Sequence, residues 1–252
     1  MAVAGQRLCI WCGVPMIVFM LTGFLLAGFV PPPSPADSAA EVAQMYRENA
    51  TGIRAGLVLA MFGSALLAPF AAAISTQLRR IEGRDSPLAF AQLALGAALP
   101  LIFIIPIVVL ETAAFRPERP AQSVQDLNDL GWLLFIAVVS TVVLELLVIG
   151  VCILLDSRPA PIYPRWAGYY NLWAAVMLMP GGGTVFFTDG LLAWNGLLCW
   201  WIPLAVFGSW LAVMTVLTLR AIDVQAAGAD ATSSTDPGTE PGRLSPVVGT
   251  FG

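Results

Sequence analysis

The chain has 252 residues, 58% of them hydrophobic and 11% charged, with a net charge of −4 and a mean hydropathy of +0.81. A soluble domain carries about 25% charged residues, so this composition excludes a water-soluble globule. The 12 cationic residues form no large basic cluster, so nucleic acid is not expected as a partner, and without histidine there is no imidazole base, His metal ligand or His-ligated haem.

All 12 cations are arginine. A lysine-free, Ala- and Gly-rich composition points to a GC-rich genome and hence to a high-GC bacterium. Acid–base chemistry falls to Asp, Glu, Tyr or Cys, and no cofactor or metal is expected. The apolar residues come in runs of about 20 or more, the length that crosses the hydrocarbon core. They predict an all-α polytopic bundle of six transmembrane helices. The spans fall over about 10–30, 52–74, 88–110, 130–155, 166–187 and 191–219. Residues 1–222 form the transmembrane domain. Residues 223–252, without periodicity, are expected to form a disordered cytoplasmic tail.

The first apolar run exceeds the roughly 7–15 residues of a signal-peptide core, which predicts a retained span. Cys9 and Cys12 make a C-x-x-C spacing at its start. With no thioredoxin-like pattern around them, packing is the expected role. The first loop opens with Pro31-Pro32-Pro33. A short amphipathic helix over Ser38–Glu48 follows, with Ala39, Val42, Ala43 and Tyr46 on one side, lying on the membrane surface or capping the bundle.

In the second span Gly52, Gly56, Ala60, Ser64, Ala68 and Ala72 repeat every four residues. That stripe predicts close approach of a neighbouring helix. Arg54 is expected to snorkel to the headgroups. The third span carries Pro100 and Pro106, which bend a helix and free carbonyls. Glu111 closes it, with Arg116 or water as its expected partner. Ser123 and Asp126 read as a capping box for the fourth span. In the fifth, Pro180-Gly181-Gly182-Gly183 has two readings: the span ends near Met179, or a broken helix lines a cavity at membrane depth. Trp194, Asn195, Trp200 and Trp201 mark the sixth.

Arginine counts of eight on one side and four on the other put both termini in the cytoplasm by the positive-inside rule. No internal repeat is visible. Several segments resemble a family of six-helix integral membrane proteins from high-GC Gram-positive bacteria. They include Phe29-Val-Pro-Pro-Pro-Ser-Pro35, Leu127-Asn-Asp-Leu-Gly-Trp132, Pro164-Arg-Trp-Ala-Gly-Tyr-Tyr-Asn-Leu-Trp173 and Ala193-Trp-Asn-Gly-Leu-Leu198. The resemblance covers about Cys12 to Ile222 and implies fold and membrane location, but no activity. It also implies an amide more often than a carboxylate at the position of Glu145.

Two candidate sites follow. One is an outer vestibule of Glu111, Arg116, Asn128, Asp129, Asp189 and Asn195, with Trp132 and Trp194 beside them, suited to an apolar or cationic ligand. Helix capping is the competing role for Asn128 and Asp129. The other is Glu145, roughly 20 Å below the outer end of the fourth span. It lies about 160° around an ideal helix from Asp129. A mid-membrane carboxylate costs roughly 2.5–3.5 kcal/mol on insertion scales, so Glu145 is expected to face the bundle, protonated or hydrogen-bonded, with Gln92 and Asn171 as candidate partners. The leading function is binding a hydrophobic small molecule (lipid or isoprenoid) or a membrane protein partner, within the lipid bilayer. The alternatives are a membrane-embedded enzyme with Glu145 or Asp129 as the acid, of isoprenoid cyclase or isomerase type, and a small proton-coupled transporter.

Overall fold

A computed structural model of the chain describes residues 2–234, with side chains for residues 3–228. Every regular element among the described residues is helical. In chain order they are α1 (Ala2–Trp11), α2 (Gly13–Ala27), α3 (Ala39–Glu48), α4 (Ala50–Ala65), α5 (Leu67–Glu82), α6 (Pro87–Phe115), α7 (Ala121–Ala137), α8 (Ser140–Leu154), α9 (Arg165–Leu178), a 3₁₀ segment (Met179–Phe186), a π-helical turn (Leu197–Trp201) and α10 (Ile202–Ser234).

Five stretches among the described residues are long and apolar enough to cross a membrane: Val3–Ala27, Ala50–Glu82, Pro87–Phe115, Ala121–Leu154 and Leu197–Gly228. The predicted 166–187 segment is divided. α9 supplies 14 residues of α-helix and the 3₁₀ segment another 8.

The α4 part of the small-residue stripe, Gly52 to Ala60, makes the close approach its spacing predicts. A Cβ on Gly56 would stand 2.1 Å from the Gly23 carbonyl oxygen, and one on Gly23 would stand 2.3 Å from that of Gly56. The α2 and α4 backbones therefore touch, which only glycine allows. α8 and α9 meet in the same way at Gly150 and Gly168, where each Cβ would approach the other's carbonyl to 3.0–3.1 Å.

Helix ends are held by side chains from neighbouring elements. Ser38 and Glu41 form a reciprocal capping box on α3. Glu82 accepts from the Leu88 and Ala89 amides at 3.0 and 2.7 Å, placing a carboxylate on the positive end of α6. Arg54 is half-buried, and its Nε donates to the Ala114 carbonyl at 3.0 Å at the other end of α6, so it serves that helix terminus.

Three expectations at element boundaries change. α7 begins at Ala121 after Pro120, and no side chain caps it. Ser123 and Asp126 therefore lie within its first two turns, and Asn128 and Asp129 are helix-interior residues, not caps. The break between α7 and α8 also removes the ideal-helix angle between Asp129 and Glu145. Finally, α10 continues through Asp223 to Ser234, where the sequence predicts a disordered tail. Asp223 ties this extension to Arg7 with a 2.7 Å ion pair. The remainder of the predicted tail, 235–252, lies outside the described residues.

The bundle has two packed cores. One contains Ile10, Phe70, Tyr163 and Trp210 near the end where Arg7 meets Asp223. The other contains Phe24, Phe29, Tyr46, Trp132, Trp194 and Trp200 beneath α3.

Candidate functional site: a cavity beside two helix breaks

A cavity of about 150 Å³ lies where the two cores meet. Met16, Leu99 and Leu178 of the first core line it, with Phe24, Ile136, Cys199 and Trp200 of the second. It coincides with three departures from α-helix. Between α7 and α8, Val138 has φ −82° and ψ 65°, and the Val139 amide donates to the Ala137 carbonyl at 2.9 Å. This is an inverse γ-turn inside an apolar run. Opposite it runs the 3₁₀ segment. A Cβ on Gly181 would stand 2.8 Å from both the Ile136 carbonyl oxygen and Val139 Cγ1, so glycine is what lets the two breaks pack together. The third departure, the Leu197–Trp201 π-turn, places Cys199 and Trp200 in the wall.

Two of these departures have a local cause in sequence. Pro180 lacks an amide proton and the three glycines after it are poor α-formers. At 138–143 the sequence reads Val-Val-Ser-Thr-Val-Val. A run of β-branched residues and serine lowers helix preference without any proline or glycine. Pro100 and Pro106 stay inside an unbroken α6. By removing an amide each, they free the Gly96 and Ile102 carbonyls, and Ile102 is a wall residue. Irregular backbone at membrane depth persists where protein buries it or a cavity borders it.

The wall is apolar apart from Cys199 and Trp200. The Cys199 thiol donates towards the Leu192 and Pro180 carbonyls, at 3.2 and 3.4 Å. Trp200 is 5% exposed, and its Nε1 is buried with no hydrogen-bond partner. A buried donor left unpaired costs about 1–3 kcal/mol. Trp201, its neighbour, points outwards at 43% exposure.

Glu145 sits one helical turn from the wall residue Val142 and is 1% exposed. Gln92, fully buried, donates from Nε2 to Glu145 Oε1 at 2.9 Å. Gly96 makes room for the carboxyl, since a Cβ there would stand 2.8 Å from Oε1. Each partner keeps one unpaired oxygen, Glu145 Oε2 and Gln92 Oε1. A proton on Oε2 would turn it from an acceptor into a donor. Of the two candidate partners, only Gln92 is bonded to Glu145. Asn171 instead accepts from Trp210 Nε1 at 2.9 Å and donates to the Ala167 carbonyl at 2.8 Å. Neither Glu145 nor Gln92 is a wall residue.

Comparison with protein-family models, with curated proteins and with solved structures finds no match. The geometry therefore carries the functional argument.

Of the predicted vestibule residues, Asn128, Asp129 and Trp132 are joined by hydrogen bonds. Asn128, fully buried, accepts from Trp132 Nε1 at 3.1 Å and from the Tyr46 hydroxyl at 3.2 Å, and donates to Asp129 at 3.2 Å. Burial, then the Asp129 carboxylate, raise the phenol pKa of Tyr46 above its ordinary value, which keeps it a donor. Trp132 is fully buried, and Trp194 donates to the Pro33 carbonyl at 2.7 Å. The Trp194 indole ties the first loop to the bundle, while that of Trp132 stays within α7. Glu111 is half-buried with one unpaired oxygen, and the expected pair with Arg116 does not form. Asn195 is half-buried and Asp189 exposed. Of the two readings of Pro180-Gly181-Gly182-Gly183, the structure has the broken helix beside a cavity, with Gly181 in the wall. The Val-Val-Ser-Thr-Val-Val run was a further signal, and the rest of the wall was not legible because it comes from five separate stretches of apolar chain.

Proposed function

We propose that this integral membrane protein crosses the bilayer six times, with both termini cytoplasmic, and binds a hydrophobic small molecule in the cavity beside Trp200. The coincidence of the cavity with two helix breaks and a π-helical turn carries the reading. Regular α-helices would satisfy the backbone at lower cost, and interrupted ones at this depth commonly border binding sites. An engineered cavity of this volume with Leu/Ile/Phe walls stays dry and takes up benzene. Exposed wall residues such as Leu21 and Val138 support access from the lipid side for a lipid or isoprenoid chain. For the sixth crossing, α9 and the 3₁₀ segment supply about 21 and 16 Å of rise, against a core of about 30 Å. The arginine distribution supports the orientation.

The enzyme and proton-carrier alternatives draw on the unpaired Oε2 of Glu145. Acid catalysis in the cavity requires that carboxyl in its wall, and Val142, not Glu145, occupies it. Binding is therefore the better-supported reading. A fluorine NMR titration of the detergent-solubilised protein with 4-fluoroethylbenzene tests it. Saturable binding is expected, and Val142→Phe, which fills the cavity, should abolish it. Unsaturable partitioning, or equal binding to the filled variant, refutes the reading.

A further inference from the structure

We infer that the cavity selects for an aromatic ring, and that its ligand is a lipid-soluble molecule carrying one. The inference rests on the binding reading above and specifies its ligand class. Five wall residues are aromatic, Phe24, Phe103, Phe135, Trp200 and Phe207, and each comes from a different element. They form one continuous series of ring contacts. Trp200 lies 6.1 Å from Phe24 and 6.4 Å from Phe135, Phe24 meets Phe135 at 5.2 Å, Phe135 meets Phe103 at 5.4 Å, and Phe103 meets Phe207 at 5.9 Å between centroids. Their planes cross at 25° to 65°, so the wall is not a flat stack. An aromatic guest suits such a wall, because its negative face and positive edge each find a partner whichever way a neighbouring ring is turned.

Burial of apolar area favours an acyl chain, a saturated ring and an aromatic ring alike. Only the aromatic ring adds quadrupole contacts with the five wall rings, and one such contact is worth about two- to tenfold in affinity beyond area. The thioethers of Met16 and Met20, also in the wall, act in the same direction, since sulfur is favourable near a ring edge. Size agrees: a cavity of about 150 Å³ matches one that takes up benzene. A cation would also be drawn to ring faces. Here it would give up its water with no carboxylate in the wall, which is far costlier than burying a neutral ring. The exposed wall residues Leu21 and Val138 leave room for an aliphatic tail on that ring to reach the lipid.

The test compares 4-fluoroethylbenzene with its saturated counterpart, 1-ethyl-4-fluorocyclohexane, by fluorine NMR titration. Each affinity is referred to the probe's partition into protein-free micelles of the same detergent. The unaltered protein should bind the aromatic probe about two- to tenfold more tightly. Phe103→Leu and Phe135→Leu each keep an apolar side chain and remove one wall ring, and each should bring the ratio of the two affinities towards one. A preference that survives both substitutions unchanged overturns the proposal. The comparison in the unaltered protein needs no variant, so the proposal stays falsifiable if either variant fails to fold. If both probes saturate with equal affinity there, the cavity binds apolar molecules and the aromatic assignment fails. If neither probe saturates, the binding reading fails and this inference with it.

Discussion

Glu145 and Gln92 form the polar contact most exposed to the energetics of the bilayer. Replacing the carboxyl by an amide converts the bare Oε2 into an N–H that Gln92 Oε1 can accept. Glu145→Gln is therefore expected to unfold within about 0.5 kcal/mol of the parent, while Glu145→Leu leaves the Gln92 amide unpaired and loses about 0.6–2 kcal/mol. Thermal unfolding in one detergent compares them. A Gln variant as unstable as the Leu variant would show that the carboxyl itself, not the hydrogen bond, holds the structure. Asp156, outside the spans, gives a pH prediction. Its buried carboxylate accepts from Arg158 Nε and Nη2 at 2.8 and 2.7 Å and from the Ile162 amide at 3.0 Å. Hydrogen bonding to Arg158 lowers its pKa against the opposing effect of burial. Because the folded value lies below the unfolded one, this stabilisation is complete above the unfolded carboxyl value of about 4 and is lost as pH falls through the folded value. Asp156→Asn should remove about 1.5–3 kcal/mol at neutral pH and flatten the acid limb of the stability curve. An unchanged acid limb would assign that pH dependence to other groups.

Among the elements, the two glycine contacts and the helix breaks matter most. Adding a side chain at Gly56 drives a Cβ into the Gly23 backbone, so Gly56→Val is expected to cost about 1–3 kcal/mol or more by overpacking. Gly5, with nothing near its Cβ, serves as the control, and equal effects at both sites would discredit the close α2–α4 packing. The stripe containing Gly56 was legible because period four is a property of one helix. The α8–α9 contact was not, because Gly150 and Gly168 are isolated glycines on different helices. Likewise Pro180-Gly-Gly-Gly announced an interruption by composition. The γ-turn at Val138 lies in a β-branched run packed against Gly181 of the 3₁₀ segment, and that tertiary contact is absent from local sequence. Asn128 and Asp129 looked like caps because their residue types are cap formers. Their helix starts at Ala121, and they serve an internal hydrogen-bond cluster instead.

At the scale of the molecule, hydropathy specified a membrane-spanning helical bundle, since length and apolarity are summed over whole segments. It did not specify the cavity, which is a property of how distant segments meet. Two packed cores separated by a cavity at their broken helices give the protein a fixed scaffold at each end and an apolar space between them. Mass spectrometry of the protein, released intact from its native membrane in mild detergent, tests that claim most directly. The parent protein is predicted to carry a bound apolar molecule that is lost in Val142→Phe. The same bound mass in both proteins, or none in either, would contradict the assignment of the cavity as the binding site.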